Sequence, residues 1–176
     1  MNRLALAELD VQPQDLVLEI GFGGGAMLAA LLNGSRQLIG ADISTAMLRR
    51  AERRFAAPLG SGRLRLINAS AEALPLPDRS VDRIASVSSL YFWPDLEAAF
   101  HEMARVTRPG GRLAIAWEPP EELSKWPGHV HGFRLVSEED LRALLAQSGF
   151  APLRCVEGRG RKPDRFLCLT AQRRPG

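Results

Sequence analysis

The chain has 176 residues, of which 45% are hydrophobic and 24% are charged, and its formal net charge is +3. This length predicts a single domain, residues 1–176, with one buried core and no separate substrate domain. The apolar runs fall short of the roughly 20 residues that cross a bilayer, and residues 1–10 contain no extended apolar segment, so no removable signal is expected. We therefore expect a cytoplasmic protein that does not insert into membranes.

The first predicted elements surround a glycine-rich turn. A short helix covers residues 3–9, and the apolar run 16–20 predicts a buried strand. The turn Gly21-Phe22-Gly23-Gly24-Gly25 follows this strand, and a helical pattern starts at Ala26. A strand, a glycine turn and a helix N-terminus in this order are typical of a nucleotide-like binding site in an open parallel sheet.

Four further apolar runs predict strands that alternate with helices. These runs occupy residues 37–41, 63–67, 81–87 and 112–117. Ser44 is the predicted N-cap of a helix after the second strand, and another helix covers residues 95–106. Prolines stiffen the loop over 74–80, and residues 108–111 predict a turn into the fifth strand. This alternation predicts a parallel sheet with helices on both faces.

The last third of the chain has a different pattern. Ser137 to Asp140 is a predicted capping box that begins a helix ending at Gly149. Two strand-like runs, 152–157 and 165–171, are separated by too few residues for a parallel crossover. They therefore predict an antiparallel hairpin that completes the α/β sheet.

Two carboxylates indicate the kind of ligand. Glu19 lies two residues before the first glycine of the turn, and Asp42 follows the second strand, 21 residues after Gly21. Because neighbouring parallel strands end at the same crevice, Asp42 can accept hydrogen bonds from a ribose diol. A nucleoside is therefore a better prediction than a bare phosphate.

The glycine turn alone does not exclude a dinucleotide cofactor. Gly21 to Ala26 also satisfies the G-x-G-x-x-A pattern, so a nicotinamide-dependent oxidoreductase is an alternative hypothesis. Three features oppose it: the missing substrate domain, the absence of a Tyr-x-x-x-Lys pair, and the C-terminal hairpin. The carboxylate of Glu19 also suits an ammonium group better than a pyrophosphate.

Other partner classes receive no support from the sequence. The arginines between Arg49 and Arg54 are interpreted as the solvated face of a helix, so no nucleic-acid partner is expected. Cys155 and Cys168 have neither metal-ligand nor redox spacing, and we expect two reduced thiols and no metal.

Six motifs in order carry a resemblance to a known family. They are LEIGFGGG (18–25), GADIS (40–44), ASAEALPLPD (69–78), VDRI (81–84), WPD (93–95) and RVTRPGGRL (105–113). Over residues 2–173 the chain resembles class I S-adenosylmethionine-dependent methyltransferases, of the type that includes the ubiquinone and menaquinone biosynthesis enzymes.

The resemblance implies a Rossmann-like sheet of seven strands in the order 3-2-1-4-5-7-6, with strand 7 antiparallel and helices on both faces. It implies S-adenosyl-L-methionine as cofactor and S-adenosyl-L-homocysteine as product. The cofactor-binding residues that it implies are Glu19, Gly21, Phe22, Gly23, Gly25, Asp42, Ile43, Ser70, Ala71 and Ser88.

Individual roles follow from the same resemblance. Glu19 would orient the glycine turn or accept from the cofactor amino group, and Asp42 would bind the ribose hydroxyls. Ile43 would pack on adenine, and Ser88 would lie near the methionine moiety. The family commonly has an aspartate at the position of Ser70, and a neutral hydroxyl is a weaker acceptor for the adenine amino group.

The acceptor site is expected in the segment 118–136, which offers apolar surface, and a small, partly apolar molecule is the predicted acceptor. Because a sulfonium methyl is already activated, the chemistry needs chiefly an aligned nucleophile, and a base only where that nucleophile is protonated. Tyr91, His129 and His131 are the candidate catalytic residues. A module that binds the cofactor without turnover is the second hypothesis, and a pocket completed by another chain is left open.

Overall fold

The predicted strands form because apolar runs are separated by glycine, proline and polar residues. The computed structural model describes residues 1–126, 133–161 and 164–175. Its strands join in the order β3-β2-β1-β4-β5-β7-β6, and only the pairings of β7 are antiparallel. This confirms the predicted seven-stranded α/β sheet. The strands are β1 (Leu16–Ile20), β2 (Gln37–Asp42), β3 (Leu64–Asn68), β4 (Val81–Val87), β5 (Thr107–Trp117), β6 (Phe150–Arg159) and β7 (Arg165–Arg173).

Side-chain caps fix where three of the helices begin. Ser44 accepts from the backbone N–H of Met47 at 3.4 Å, and Asp95 caps its helix in the same way. Ser137 and Asp140 form the predicted capping box. Within the described residues no helix has the length and apolar character needed to cross a membrane. The helices are α1 (Asn2–Leu9), α2 (Ala26–Leu31), α3 (Thr45–Arg54), α4 (Ala56–Gly60), α5 (Leu96–Val106), α6 (Pro120–Leu123) and α7 (Glu138–Gln147).

The sheet has an apolar core on each face. Because side chains alternate along a strand, Leu18 and Ile20 of β1 face the core beneath α5 and α7, whereas Val17 faces the core beneath α1, α2 and α3. Phe100 of α5 and Trp117 of β5 are fully buried in the first of these cores. Helices on both faces explain why the central strands are continuous apolar runs.

The predicted turn at residues 108–111 is a bulge within β5. Val81 of β4 pairs with Thr107, and the next pair joins Arg83 to Arg112, so three extra residues are accommodated on β5. Gly110 has φ +80, which a residue with a side chain rarely adopts. The strand therefore begins at Thr107, and the prediction that it starts at residue 112 was wrong.

The C-terminal hairpin is longer than predicted, and its cysteines do not face each other. Cys155 pairs with Leu169, and Val156 pairs with Cys168. Since the side chains of paired residues lie on the same face, the two thiols lie on opposite faces of the sheet. Both cysteines are free, as expected.

Candidate active site

One cavity lies at the carboxyl ends of β1 and β2. Because β1 is flanked by β2 on one side and by β4 on the other, the direction of strand order changes there, and a crevice opens above the sheet. A cavity of about 540 Å³ occupies this crevice. Its lining includes seven of the predicted cofactor-binding residues, namely Gly21, Gly23, Asp42, Ile43, Ser70, Ala71 and Ser88.

The glycine turn brings backbone, and no side chains, to the cavity wall. Gly21 donates its N–H to the carbonyl of Ala41 at 2.8 Å and has φ +72. A Cβ at this position would lie 2.5 Å from the Cβ of Ser89, so any other residue would clash. At Gly23 a Cβ would meet no atom within 4 Å, which leaves room for a ligand next to the backbone.

Asp42 links the glycine turn to the start of α3. Its Oδ2 accepts from the N–H of Gly23 at 2.9 Å, and its Oδ1 accepts from the N–H of Ser44 at 2.9 Å. Each carboxylate oxygen can accept a further hydrogen bond. The side chain is buried yet lines the cavity, so it can hold the turn and receive a ligand diol at once.

Glu19 is a buried carboxyl group within the sheet. It lies in the middle of the sheet, where its neighbours on β2 and β4 are Gly40 and Ala85. Its Oε2 has no hydrogen-bond partner among the described residues. Burial, and secondarily the charge of Asp42, raise the pKa of Glu19 to about 8. The carboxyl group is therefore largely protonated at neutral pH, and a nearby cation would favour its ionised form.

Another part of the cavity wall combines an exposed apolar side chain with small residues. Ile43 is 72% exposed, and Ser70 and Ala71 complete the wall. Glu72 also lines the cavity, and its carboxylate accepts from the backbone N–H of Asp95 at 3.3 Å. Glu72 was not singled out from the sequence, although it lies two residues after Ser70.

The remaining predicted cofactor residues lie behind the cavity wall. The ring of Phe22 is buried in the core beneath α2, and only its backbone belongs to the turn. Gly25 is the N-cap of α2 and packs against Phe55. Glu19 likewise lies below the lining residues, within the sheet.

A second cavity of about 490 Å³ adjoins the first, because Ser88 and Phe92 line both. Tyr91 and Glu118 also line it, and the Tyr91 hydroxyl donates to the Glu118 carboxylate. Glu118 was missed as an individual residue. It directly follows β5, much as Asp42 ends β2, and a carboxylate at the end of a parallel strand is a signal that could have identified it.

Among the described residues that line the two cavities there is no histidine. His129 and His131 lie outside the described residues, so their catalytic role stays a prediction. His101 lies on α5, where its Nδ1 is 2.9 Å from the carbonyl oxygen of Glu97. Six described residues of the predicted acceptor segment line the second cavity, namely Glu118, Glu122, Leu123, Lys125, Trp126 and Phe133.

Comparison with known proteins agrees with this geometry. Residues 18–115 match the model of a methyltransferase domain family. The uncharacterized methyltransferase YdaC of Bacillus subtilis is 31% identical over 175 residues, which cover 98% of this chain and 91% of YdaC. An O-methyltransferase from Pyrenophora dematioidea is 30% identical over 165 residues, and the alignment covers 89% of this chain but 62% of that protein.

Solved structures share the fold at lower sequence identity. A Haloferax volcanii methyltransferase, solved in complex with the Trm112 methyltransferase activator, superposes with a TM-score of 0.89 at 20% identity. The superposition covers 98% of this chain and 88% of that one. The glycine turn, whose pattern alone also fits a dinucleotide-dependent enzyme, therefore belongs to a methyltransferase. The chain is a member of the methyltransferase domain family and a class I S-adenosylmethionine-dependent methyltransferase.

Proposed function

We propose that the first cavity binds S-adenosylmethionine and that the second cavity holds a small, partly apolar acceptor to which the methyl group is transferred. The observation that carries this proposal is the position of Asp42. Its carboxylate lies beside the glycine turn in one cavity, and that cavity shares Ser88 and Phe92 with the next. Donor and acceptor sites in contact are what a direct displacement requires.

In the proposed site different residues bind different parts of the cofactor. Asp42 accepts hydrogen bonds from the ribose hydroxyls, and the glycine turn lies against the methionine portion. Glu19, which lies behind the lining residues, attracts the amino group by its charge or through water, and loses its proton as it does so. Ile43 packs on adenine, whose amino group faces Ser70 and the nearby carboxylate of Glu72.

The second cavity has the features that a small acceptor needs. Its wall combines the apolar rings of Phe92, Trp126 and Phe133 with the polar groups of Ser88 and Glu118. When bound, the cofactor supplies an activated methyl group on a sulfonium. The protein therefore has to exclude water and hold the acceptor nucleophile in line.

Calorimetric titration with S-adenosylmethionine and S-adenosylhomocysteine tests the donor site. We expect micromolar dissociation constants for both ligands. Asp42→Ala should weaken binding at least about 30-fold, because it removes charged hydrogen bonds worth about 1.5–3 kcal/mol each. Asp78→Ala, at an exposed aspartate whose partner is Arg105, is the matched control and should bind like the wild type.

The absence of binding heat with either ligand would reject the proposal. A thermal melt of Asp42→Ala separates lost affinity from lost folding, because this variant also loses its bonds to Gly23 and Ser44. Binding without turnover over a broad acceptor panel would instead support the second hypothesis, a cofactor-binding module.

We also propose a cytoplasmic location, in which the free thiols of Cys155 and Cys168 stay reduced. Cell fractionation followed by thiol titration of the denatured protein tests this. Two reactive thiols in the cytoplasmic fraction are the expected result.

A further inference from the structure

Exposed aromatic rings form one wall of the second cavity. The ring centroids of Phe92 and Phe133 are 4.8 Å apart at an interplanar angle of 77°, and Trp126 lies 5.0 Å from Phe133 at 30°. Phe92 is 63% exposed and Trp126 is 55% exposed. Large aromatic surfaces that border a cavity offer a flat ligand stacking and edge-to-face contacts. The wall therefore fits a planar ring system better than a flexible chain.

The polar end of the same cavity converges on one carboxylate. The Tyr91 hydroxyl and the Ser88 hydroxyl both donate to Glu118, the latter at 3.4 Å from Oε2. The backbone N–H of Glu118 in turn donates to the Tyr91 oxygen. Two carboxylate oxygens offer about four acceptor positions, so Glu118 keeps capacity for a further donor. Since Ser88 also lines the first cavity, this carboxylate lies at the junction of the two sites.

Tyr91 is a donor in this arrangement. Burial, reinforced by the charge of Glu118, raises the pKa of Tyr91 above its ordinary value. The hydroxyl therefore keeps its proton, and Tyr91 orients the carboxylate and does not remove a proton itself. Of the two groups, Glu118 is the one that can accept a proton from a ligand.

The remaining charges around the cavity balance each other. Glu122 forms an ion pair with Lys125 at 2.5 Å, and Arg161 and Asp164 carry opposite charges. Among the described residues no Lys, Arg or His forms an ion pair with Glu118. The Met1 ammonium group interacts with Glu118 through charge, and burial lowers the pKa of that ammonium group. The lining residues therefore add no net charge beyond that of Glu118, and a neutral acceptor can donate its hydroxyl group to that carboxylate.

We infer that the acceptor is a flat aromatic alcohol, such as a phenol, and that Glu118 removes its hydroxyl proton as the methyl group is transferred. This inference rests on the proposed function. The acceptor oxygen forms the new bond to the methyl carbon, and the carbon–sulfur bond of the sulfonium breaks with its electron pair on sulfur. The O–H proton passes to a Glu118 oxygen and then to solvent. Tyr91 and Ser88 are positioning residues, because they hold the carboxylate.

Radiolabelled S-adenosylmethionine and three matched probes test the acceptor class. The probes are 1-naphthol, its saturated analogue decahydro-1-naphthol, and 1-naphthylmethylamine. We expect methylation of 1-naphthol at least about tenfold faster, in kcat/KM, than of either other probe. A preference for the amine or for the saturated alcohol would overturn the inference.

The variant Glu118→Gln tests the proton transfer. With 1-naphthol we expect kcat to fall at least about 100-fold with little change in KM, which is the usual contribution of a general base. With 4-nitrophenol at pH 8, which is already ionised, the variant should stay within about fivefold of the wild type. Glu121→Gln, which changes a neighbouring glutamate that pairs with Arg165, is the matched control and should act like the wild type.

An equal loss with both phenols would show that Glu118 only shapes the site, and would overturn its role as base. Calorimetry with S-adenosylhomocysteine separates this failure from a failure of the proposed function. Affinity should be unchanged within about twofold in Glu118→Gln. If the wild type binds S-adenosylhomocysteine but methylates neither phenol, the inference fails and the donor site stands. If it does not bind, the proposed function fails as well.

Discussion

The buried carboxyl group of Glu19 makes the stability of the ligand-free protein depend on pH. Its pKa of about 8 lies well above the ordinary value of 4.5 because the group is buried and, secondarily, because the charge of Asp42 lies nearby. Between these two pH values the folded protein holds a proton that the unfolded chain has released. The contribution of Glu19 to the free energy of unfolding is therefore greatest below about pH 4.5, and it falls as the pH rises toward 8.

The substitution Glu19→Gln removes this titration while it keeps the shape of the protonated side chain. One pKa unit corresponds to about 1.4 kcal/mol, and integration between pH 6 and pH 8 gives a loss of about 2 kcal/mol in the wild type that the variant does not share. Urea unfolding at both pH values measures this difference directly. Other titrating groups contribute to both proteins and cancel.

A control and a contrary outcome complete this test. Glu52→Gln, which changes an exposed glutamate on α3, should leave the difference between pH 6 and pH 8 unchanged within about 0.5 kcal/mol. If the wild type and Glu19→Gln lose the same free energy of unfolding over this range, Glu19 is already ionised at pH 6. The reasoning from burial would then be refuted, and an unseen partner would have to satisfy its Oε2.

Three further predictions concern the same turn and the core. Binding of S-adenosylmethionine at pH 7 should release nearly one proton, which calorimetry in two buffers of different ionisation enthalpy measures. Glu19→Gln should abolish this proton release. Equal apparent binding heats of the wild type in the two buffers would contradict the prediction. Gly21→Ala should lower the free energy of unfolding by about 1–3 kcal/mol, because φ is +72 and the new Cβ would contact Ser89; a urea midpoint equal to that of the wild type would contradict this. Phe100→Ala, at a fully buried ring of α5, should cost about 3–5 kcal/mol in the same assay, and a cost under 1 kcal/mol would show that the core collapses around the cavity.

The boundaries of most strands could be predicted because they depend on local composition. The run from Leu16 to Ile20 is an observed strand, as is that from Val81 to Val87. The caps at Ser44 and Ser137 were also predictable, since a capping side chain contacts only backbone three residues away. The start of β5 was not, because its bulge depends on how β5 pairs with β4.

The cavity proposed for the methyl donor was largely predictable for a different reason. In a parallel sheet the carboxyl ends of neighbouring strands meet at one edge, so Gly21 and Asp42 come together wherever β1 and β2 pair. Strand order then determines which residues of β4 complete the crevice. That order came from the resemblance, and no local pattern contains it.

The sequence by itself determined the elements, their alternation and the carboxylate at the end of β2, because periodicity, capping and glycine content act over a few residues. Only the tertiary structure decided that Ser88, Tyr91 and Glu118 meet at the junction of two cavities, since β4 and β5 bring together residues about 30 positions apart. It also decided the protonation of Glu19. A pKa depends on the dielectric surroundings and on the charges in space, and both are supplied by strands and helices distant in the chain.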